Sequence, residues 1–209
     1  MAGPPLFQSG KTQRLMVALL MVGVFGVSLS LAWGVSAVRG VPASMTAETG
    51  ETIGGAEGIG VTLPGDWQQQ AIDADQPASL FVDTGRPQRR MLVQSLGQGD
   101  RPLLRVVPDV LRGLLSPSQQ QGYTPVLDRP LAVRPQPGVR AVLTAGVSPV
   151  DEQRVTYHLL AVLADDQNRF WAIYLTDRGP RGEAFQVQAM QNLRLISAVL
   201  QSVEFSQTD

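Results

Sequence analysis

Residues 154–176 read RVTYHLLAVLADDQNRFWAIYLT, and this stretch decides the fold. Two runs rich in β-branched, aliphatic and aromatic residues, Arg154–Ala164 and Arg169–Thr176, flank Asp165-Asp166-Gln167-Asn168. Runs of this composition on either side of a turn-forming tetrapeptide are typical of an antiparallel β-hairpin. The sequence therefore predicts a long hairpin as its clearest element.

Further strand patterns precede the hairpin and are separated by turns that contain Pro and Gly. They lie at Ile59–Leu63, Ala78–Val82, Arg90–Leu96 and Val139–Val147. Leu103–Val107 fits either a short strand or the lead-in to a helix, and Pro108 suits a first helical position. Ser116-Pro117 repeats the signal of a cap followed by proline, so we expect a break or a second helical turn there.

The segment Glu183–Leu200 has the spacing of an amphipathic helix that is long enough to cover a sheet. Its periodic apolar residues are Phe185, Ala189, Leu193, Ile196 and Leu200. Strands follow one another between helical segments, without alternation of strand and helix. The sequence therefore predicts an α+β fold in which a mostly antiparallel β-sheet is flanked by helices.

An uncharged apolar run from Leu15 to Val38 precedes this domain. As a helix it would reach roughly 36 Å, which is enough to cross a hydrocarbon core of about 30 Å. We expect a transmembrane helix or uncleaved signal anchor over 15–38, with residues 1–14 in the cytoplasm because Lys11 and Arg14 precede the run. Val35-Ser36-Ala37 has the small residues of a cleavage site, so a signal peptide cleaved after Ala37 is the alternative.

Gly26, Ser30 and Gly34 would share one face of that helix, and this spacing allows two membrane helices to approach closely. Ordinary small-residue content is the alternative to self-association through these three residues. Residues 39–58 are rich in Gly, Ala, Thr and Glu, which predicts a flexible linker. The folded extracytoplasmic domain is expected over 59–206.

Composition excludes several classes of function. The chain has no cysteine, one histidine and a formal net charge of −1. Disulfides, thiolate metal sites and cysteine nucleophiles are therefore excluded. Apart from Arg86, Arg89 and Arg90, the arginines are scattered, which is unlike a nucleic-acid footprint. Those three arginines would be able to clamp a phosphate or anionic head group, and a solvated loop is the alternative.

Few other residues suggest chemistry. His158, the single histidine, would suit general acid–base work, but a lone histidine between apolar neighbours is more often a hydrogen-bonded residue of the core or of a sheet face. Asp165 and Asp166 form an acidic pair, but the sequence does not complete a cation site around them, and a solvated turn is the simpler interpretation. The aromatic residues Trp67, Trp171 and Tyr174 would line either a ligand pocket or the core.

Two stretches carry a resemblance to a known family: Gly60-Val61-Thr62-Leu63-Pro64-Gly65-Asp66-Trp67 and Ser202-Val203-Glu204-Phe205. Together with the aromatic-rich hairpin between them, they resemble the PsbP-like superfamily over about residues 59–206. That superfamily includes the extrinsic photosystem II subunit, bacterial DcrB-like lipoproteins and a nuclear Ran-binding relative. The resemblance implies an antiparallel sheet between helices and a role in binding or assembly without known catalysis. No catalytic, cofactor-binding or metal-binding residue is carried over from the family.

The sequence thus predicts a single-pass protein of a bacterial cytoplasmic membrane with a periplasmic or other extracytoplasmic domain. We expect a non-enzymatic module that uses no cofactor and binds or assembles an envelope or membrane protein partner. One alternative is a domain that binds a lipid or small apolar ligand between the sheet and the C-terminal helix. The other is a hydrolase that uses Asp165, Asp166 or His158.

Overall fold

The computed structural model describes residues 52–54, 56–63, 67–70, 78–182 and 184–205. The strands before the first helix are β1 (Thr52–Gly54), β2 (Ile59–Thr62), β3 (Trp67–Gln70), β4 (Ala78–Asp83) and β5 (Arg89–Gln98). Those after it are β6 (Thr124–Pro125), β7 (Leu131–Val133), β8 (Arg140–Pro149), β9 (Arg154–Ala164), β10 (Arg169–Pro180) and β11 (Glu204–Phe205). The helices are α1 (Leu103–Leu114), α2 (Pro117–Gly122) and α3 (Ala184–Gln201).

Every strand pairing among these residues is antiparallel. The main sheet has eight strands. Seven of them lie in the order β3-β4-β5-β10-β9-β8-β6, and the eighth, β7, pairs with β8. A smaller sheet has the order β1-β2-β11. The prediction of an α+β fold built on an antiparallel sheet is therefore confirmed.

The predicted hairpin lies in the middle of the main sheet. β9 and β10 pair from Phe170 opposite Ala164 to Pro180 opposite Arg154, so the second strand runs beyond the predicted end at Thr176. The Asp165 carboxylate accepts hydrogen bonds from the backbone N–H groups of Gln167 and Arg169, both at 2.9 Å. Asp165 therefore acts as a turn residue that closes the hairpin.

Helices cover both faces of the main sheet. The α1 face, named after the helix that packs on it, holds a core cluster in which Val107 of α1 meets Val142, Leu160, Val162, Ala172 and Tyr174. The opposite α3 face is buried by α3, whose Leu193, Ile196 and Leu200 are at most 1% exposed. Gly179 lies on that face, because a Cβ on Gly179 would run into the side chain of Gln188 in α3.

Helix α1 differs from the prediction at its start. It begins at Leu103 and contains Pro108 in its interior, whereas the sequence placed Pro108 at the first helical position. The residues of α1 that pack against the sheet recur at steps of three and one: Leu103, Val106, Val107, Val110, Leu111 and Leu114. Burial of this stripe outweighs the cost of a proline within the helix, because tertiary packing supplies most of the stability of such helices.

The predicted linker, residues 39–58, differs from the structure at its C-terminal end. Thr52–Gly54 pairs with β2, and Ala56 is buried. The indole N–H of Trp171 donates a 2.9 Å hydrogen bond to the carbonyl oxygen of Glu57. Backbone pairing and one aromatic contact hold these residues in place. The prediction relied on their low apolar content, which does not indicate interactions of this kind.

The predicted membrane segment, residues 15–38, and its Gly26, Ser30 and Gly34 face lie outside the described residues. Within the part of the chain that the structure describes, no helix combines the length and apolar character needed to cross a membrane.

Candidate functional site

A polar groove opens on the α1 face, at the end of the sheet where β10 finishes. Its volume is about 260 Å³, and it is lined by Gln88, Arg90, Gln119, Thr156, Thr176 and Arg178. Four of these residues come from three neighbouring strands, and Gln119 comes from α2. Among the described residues, the lining consists of side chains that are positively charged or neutral and polar, without a carboxylate.

The register of the sheet brings the two arginines together. Arg90 of β5 lies directly opposite Thr176 of β10, and Arg178 follows two residues later on the same face. Arg90 and Arg178 are therefore diagonal neighbours, and positions related in this way are about 7–8 Å apart. Thr156 lies opposite Arg178 on the other side, in β9, and completes the floor of the groove.

Neither arginine has a carboxylate within 4.0 Å among the described residues, although six other arginines of the domain form such ion pairs. Like charges on neighbouring positions of a sheet repel each other. Since a guanidinium stays protonated in proteins, this repulsion is not relieved by loss of a proton. The groove is thus a site of uncompensated positive charge that favours an anionic ligand.

The side chains of Arg86, Arg89 and Arg90 do not lie on the same face of the sheet. Arg86 and Arg89 both reach Asp177, at 3.2 and 3.5 Å, and Asp177 is completely buried on the α3 face. Arg90 points to the other face, because successive residues of a strand alternate. The three arginines therefore do not form a common clamp, and Arg178, not Arg86 or Arg89, lies beside Arg90.

Gln119 is held at the groove by the cap of α2. The side-chain oxygen of Gln119 accepts a hydrogen bond from the backbone N–H of Ser116 at 2.9 Å. The backbone N–H of Gln119 donates a hydrogen bond to the Ser116 hydroxyl at 3.3 Å. This reciprocal arrangement is a capping box, as the Ser116-Pro117 signal suggested. The cap therefore fixes the position of the Gln119 side chain at the edge of the groove.

A buried polar network adjoins the groove floor. Nε2 of His158 lies 2.7 Å from Oγ of Ser148, and Nδ1 lies 2.6 Å from the hydroxyl of Tyr174. His158 is opposite the groove residue Thr176, and Ser148 is opposite Thr156. A neutral imidazole has one donor and one acceptor nitrogen, so these two hydroxyl groups satisfy it completely.

Burial sets the charge state of this network. Loss of solvent around His158, which is 1% exposed, lowers its pKa to about 4. Burial also raises the pKa of Tyr174 above its ordinary value. Ser148 is 0% exposed, so its hydroxyl is not accessible to a substrate. Despite its contact with a histidine, the network has the properties of a structural element.

Tyr123, which follows α2, packs over β8 at Gly146. A Cβ on Gly146 would overlap the Tyr123 ring, so only glycine leaves room for it. The ring centroid of Tyr123 lies 5.9 Å from that of His158. Burial raises the pKa of Tyr123 to about 12. This contact fixes the end of α2 relative to the sheet and to the buried histidine.

The remaining predicted site residues do not come together. Asp165 and Asp166 lie at the hairpin turn, seven residues along the strand from His158, which corresponds to roughly 23 Å. They therefore do not form one catalytic site with it. No group of three or more His, Asp or Glu residues suited to a metal ion occurs in the described ranges.

The three aromatic residues do not line a common pocket. Trp171 stacks on Phe205 with ring centroids 4.7 Å apart, on the α3 face. Tyr174 binds His158 on the α1 face. Trp67 lies on β3, at the edge of the sheet. The two buried members therefore serve separate parts of the core.

The sequence matches no known family model, and no curated protein matches it. Solved structures do resemble it. The solution structure of cyanobacterial PsbP (CyanoP) from Synechocystis sp. PCC 6803 is similar over 80% of this chain and 98% of that chain, with 13% identity and a TM-score of 0.54. This likeness confirms the PsbP-like fold that the two quoted stretches indicated.

Two crystal structures are similar at lower TM-scores. LpqN, involved in cell envelope biogenesis of Mycobacterium tuberculosis, shares 15% identity over 78% of this chain and 88% of its own, with a TM-score of 0.45. A protein from Bacteroides thetaiotaomicron VPI-5482 shares 10% identity over 76% of this chain, with a TM-score of 0.48. The chain spans 49% of the length of that Bacteroides protein.

Proposed function

We propose that this chain is a membrane-anchored binding module of the bacterial cell envelope, without catalytic activity, that holds a partner through its polar groove. One observation carries the proposal: Arg90 and Arg178 share an open groove, and no described residue of its lining is a carboxylate that would compensate their charge. An anionic group of a partner would supply the missing charge. The buried state of Ser148 and His158 supports a binding role over hydrolysis.

The predicted anchor gives such a module its setting. If the anchor occupies residues 15–38, the stretch that joins it to β1 at Thr52–Gly54 serves as the tether. A flexible coil of this length spans about 20 Å, which keeps the domain close to the membrane surface. Tethering raises the effective concentration of the domain near membrane partners, so that a weak groove interaction is sufficient. Self-association through Gly26, Ser30 and Gly34 would be compatible with this arrangement.

The packing of the core gives less support to the alternative function, in which a lipid or small apolar ligand binds between the sheet and α3. The interface between the sheet and α3 is filled by the protein's own side chains, among them Ile173, Leu193 and Ile196. An apolar ligand there would have to displace well-packed core residues, which is costly. The polar groove lies on the opposite face of the sheet.

Mild crosslinking in native membranes, followed by affinity purification and mass spectrometry of the full-length protein, tests the proposal. We expect a recurrent partner with the wild type, and its loss in Arg90→Glu/Arg178→Glu. The matched control is Arg105→Glu/Arg194→Glu, which makes the same change in net charge at exposed residues of α1 and α3 outside the groove.

Recovery of the wild-type protein alone would contradict the proposal, and so would equal recovery of the partner with the groove variant. Replacement of residues 15–38 by a cleavable signal should also reduce recovery, because the released domain loses its effective concentration at the membrane.

A further inference from the structure

We propose that the group held in the groove is a phosphate, clamped between the guanidinium groups of Arg90 and Arg178. This inference rests on the proposed function, because it names the chemistry that the binding module recognises at the same site.

The charge of the groove fits a phosphate monoester better than a single carboxylate. Such an ester carries about −1.5 to −2 charges at neutral pH, which two guanidinium groups balance. One carboxylate would neutralise only one arginine and leave the repulsion between diagonal neighbours partly in place. Hydrolytic chemistry is not part of the proposal, since the ligand is bound and released unchanged.

The hydrogen-bond donors of the groove also suit a phosphate ligand. Each guanidinium presents N–H groups in a planar fork that binds two oxygens of a phosphate at once. Thr156, Thr176 and Gln119 also line the groove, and their side chains carry further hydrogen-bond donors. A phosphate ester offers three acceptor oxygens, whereas a carboxylate offers two. The groove therefore provides donors on several sides of one tetrahedral anion.

The size of the groove limits the ligand. Its volume of about 260 Å³ is below the range of about 300–1,000 Å³ that is typical for complete small-molecule sites. The groove therefore accommodates the phosphate end of a ligand and leaves the remainder outside. Two sources share this chemistry: a soluble phosphate monoester and phosphatidic acid, a phospholipid whose head group is itself a phosphate monoester.

Calorimetric titration of the full-length protein in neutral detergent with inorganic phosphate tests the clamp, with acetate at equal ionic strength as the comparison anion. We expect saturable binding of phosphate, at least about tenfold tighter than that of acetate, and a loss of at least about tenfold in Arg90→Gln/Arg178→Gln. Arg90→Lys/Arg178→Lys keeps both positive charges but removes the planar guanidinium groups that bind two oxygens at once. We expect its phosphate affinity to lie between those of the wild type and the Gln variant. Absence of saturable binding to the wild type, or equal binding by the Gln variant, would overturn the inference.

Vesicles of phosphatidylcholine with and without phosphatidic acid identify the source. If the protein binds the anionic vesicles and this binding depends on Arg90 and Arg178, the ligand of the groove is a lipid head group. If the protein binds inorganic phosphate but does not bind the vesicles, the ligand is a soluble phosphate ester. If phosphate does not bind while the crosslinked partner is still lost in Arg90→Glu/Arg178→Glu, this inference fails and the proposed function stands.

Discussion

Oγ of Ser148 lies 2.7 Å from Nε2 of His158, inside the sheet and next to the groove floor. Their cross-strand neighbours Thr156 and Thr176 line the groove itself. One side of the groove floor is therefore continuous with a buried hydrogen-bond network. A satisfied network of this kind rigidifies its surroundings, which preorganises the groove for a ligand.

The buried imidazole makes stability depend on pH. The pKa of His158 is about 4 in the folded protein and near 6.5 in an unfolded chain, so the unfolded state binds the proton first. Stability is therefore fully present above pH 6.5 and falls by up to about 3 kcal/mol as the pH drops toward 4. Urea unfolding of the wild type and of His158→Gln measures this contribution: the difference between their free energies of unfolding should shrink at low pH. A difference that does not change with pH would contradict the assignment.

Gly146 is expected to tolerate no larger residue. Gly146→Ala forces its Cβ against the Tyr123 ring, and such overpacking costs about 1–3 kcal/mol. The same substitution should cost much less in a Tyr123→Ala background. Gly113→Ala is the matched control, because nothing lies within 4 Å of its Cβ, and alanine should stabilise α1 by up to about 1 kcal/mol. Equal effects at Gly146 in both backgrounds would show that Tyr123 does not lie against it.

Asp177 anchors Arg86 and Arg89 within the α3 face. Asp177→Asn removes the shared negative charge from a completely buried position and should destabilise the protein by about 3 kcal/mol. Asp109→Asn, in which the carboxylate is exposed, should change the free energy of unfolding by less than about 1 kcal/mol. Chemical denaturation of both variants provides the comparison, and a cost at Asp177 no larger than at Asp109 would argue against the pairing.

The groove arginines should contribute to binding and not to stability. Arg90 and Arg178 are exposed and have no carboxylate partner in the described part of the chain, so Arg90→Glu/Arg178→Glu should change the free energy of unfolding by less than about 1 kcal/mol. Denaturation of this variant next to Arg105→Glu/Arg194→Glu checks that expectation. A large loss of stability in the groove variant alone would mean that the two arginines hold the fold together.

Local patterns were sufficient for the main elements. The hairpin around Asp165 and the periodic apolar face of Glu183–Leu200 both depend on residues near in sequence, and both were predicted with nearly the observed bounds. The start of α1 was predicted wrongly, because the proline signal at Pro108 is local while the burial that overrides it is tertiary.

The groove depends on register, which the sequence does not display. Arg90 and Arg178 are neighbours only because β5 and β10 pair with Arg90 opposite Thr176. The predicted strand began at Arg90, one residue later than the observed strand, so the alternation of Arg89 and Arg90 between the two faces was not recognised. The partners of His158 lie 10 and 16 residues away in other strands, so they too became visible only in the fold.

Site-specific photocrosslinking in native membranes shows whether a partner is held at the groove. A photoreactive side chain is placed at Gln88, in the groove lining, or at Val187, an exposed residue of α3 on the opposite side of the sheet. We expect a discrete adduct from Gln88 that disappears with Arg90→Glu/Arg178→Glu, and none from Val187. An adduct from Val187 alone, or one from Gln88 that persists in the arginine variant, would contradict it.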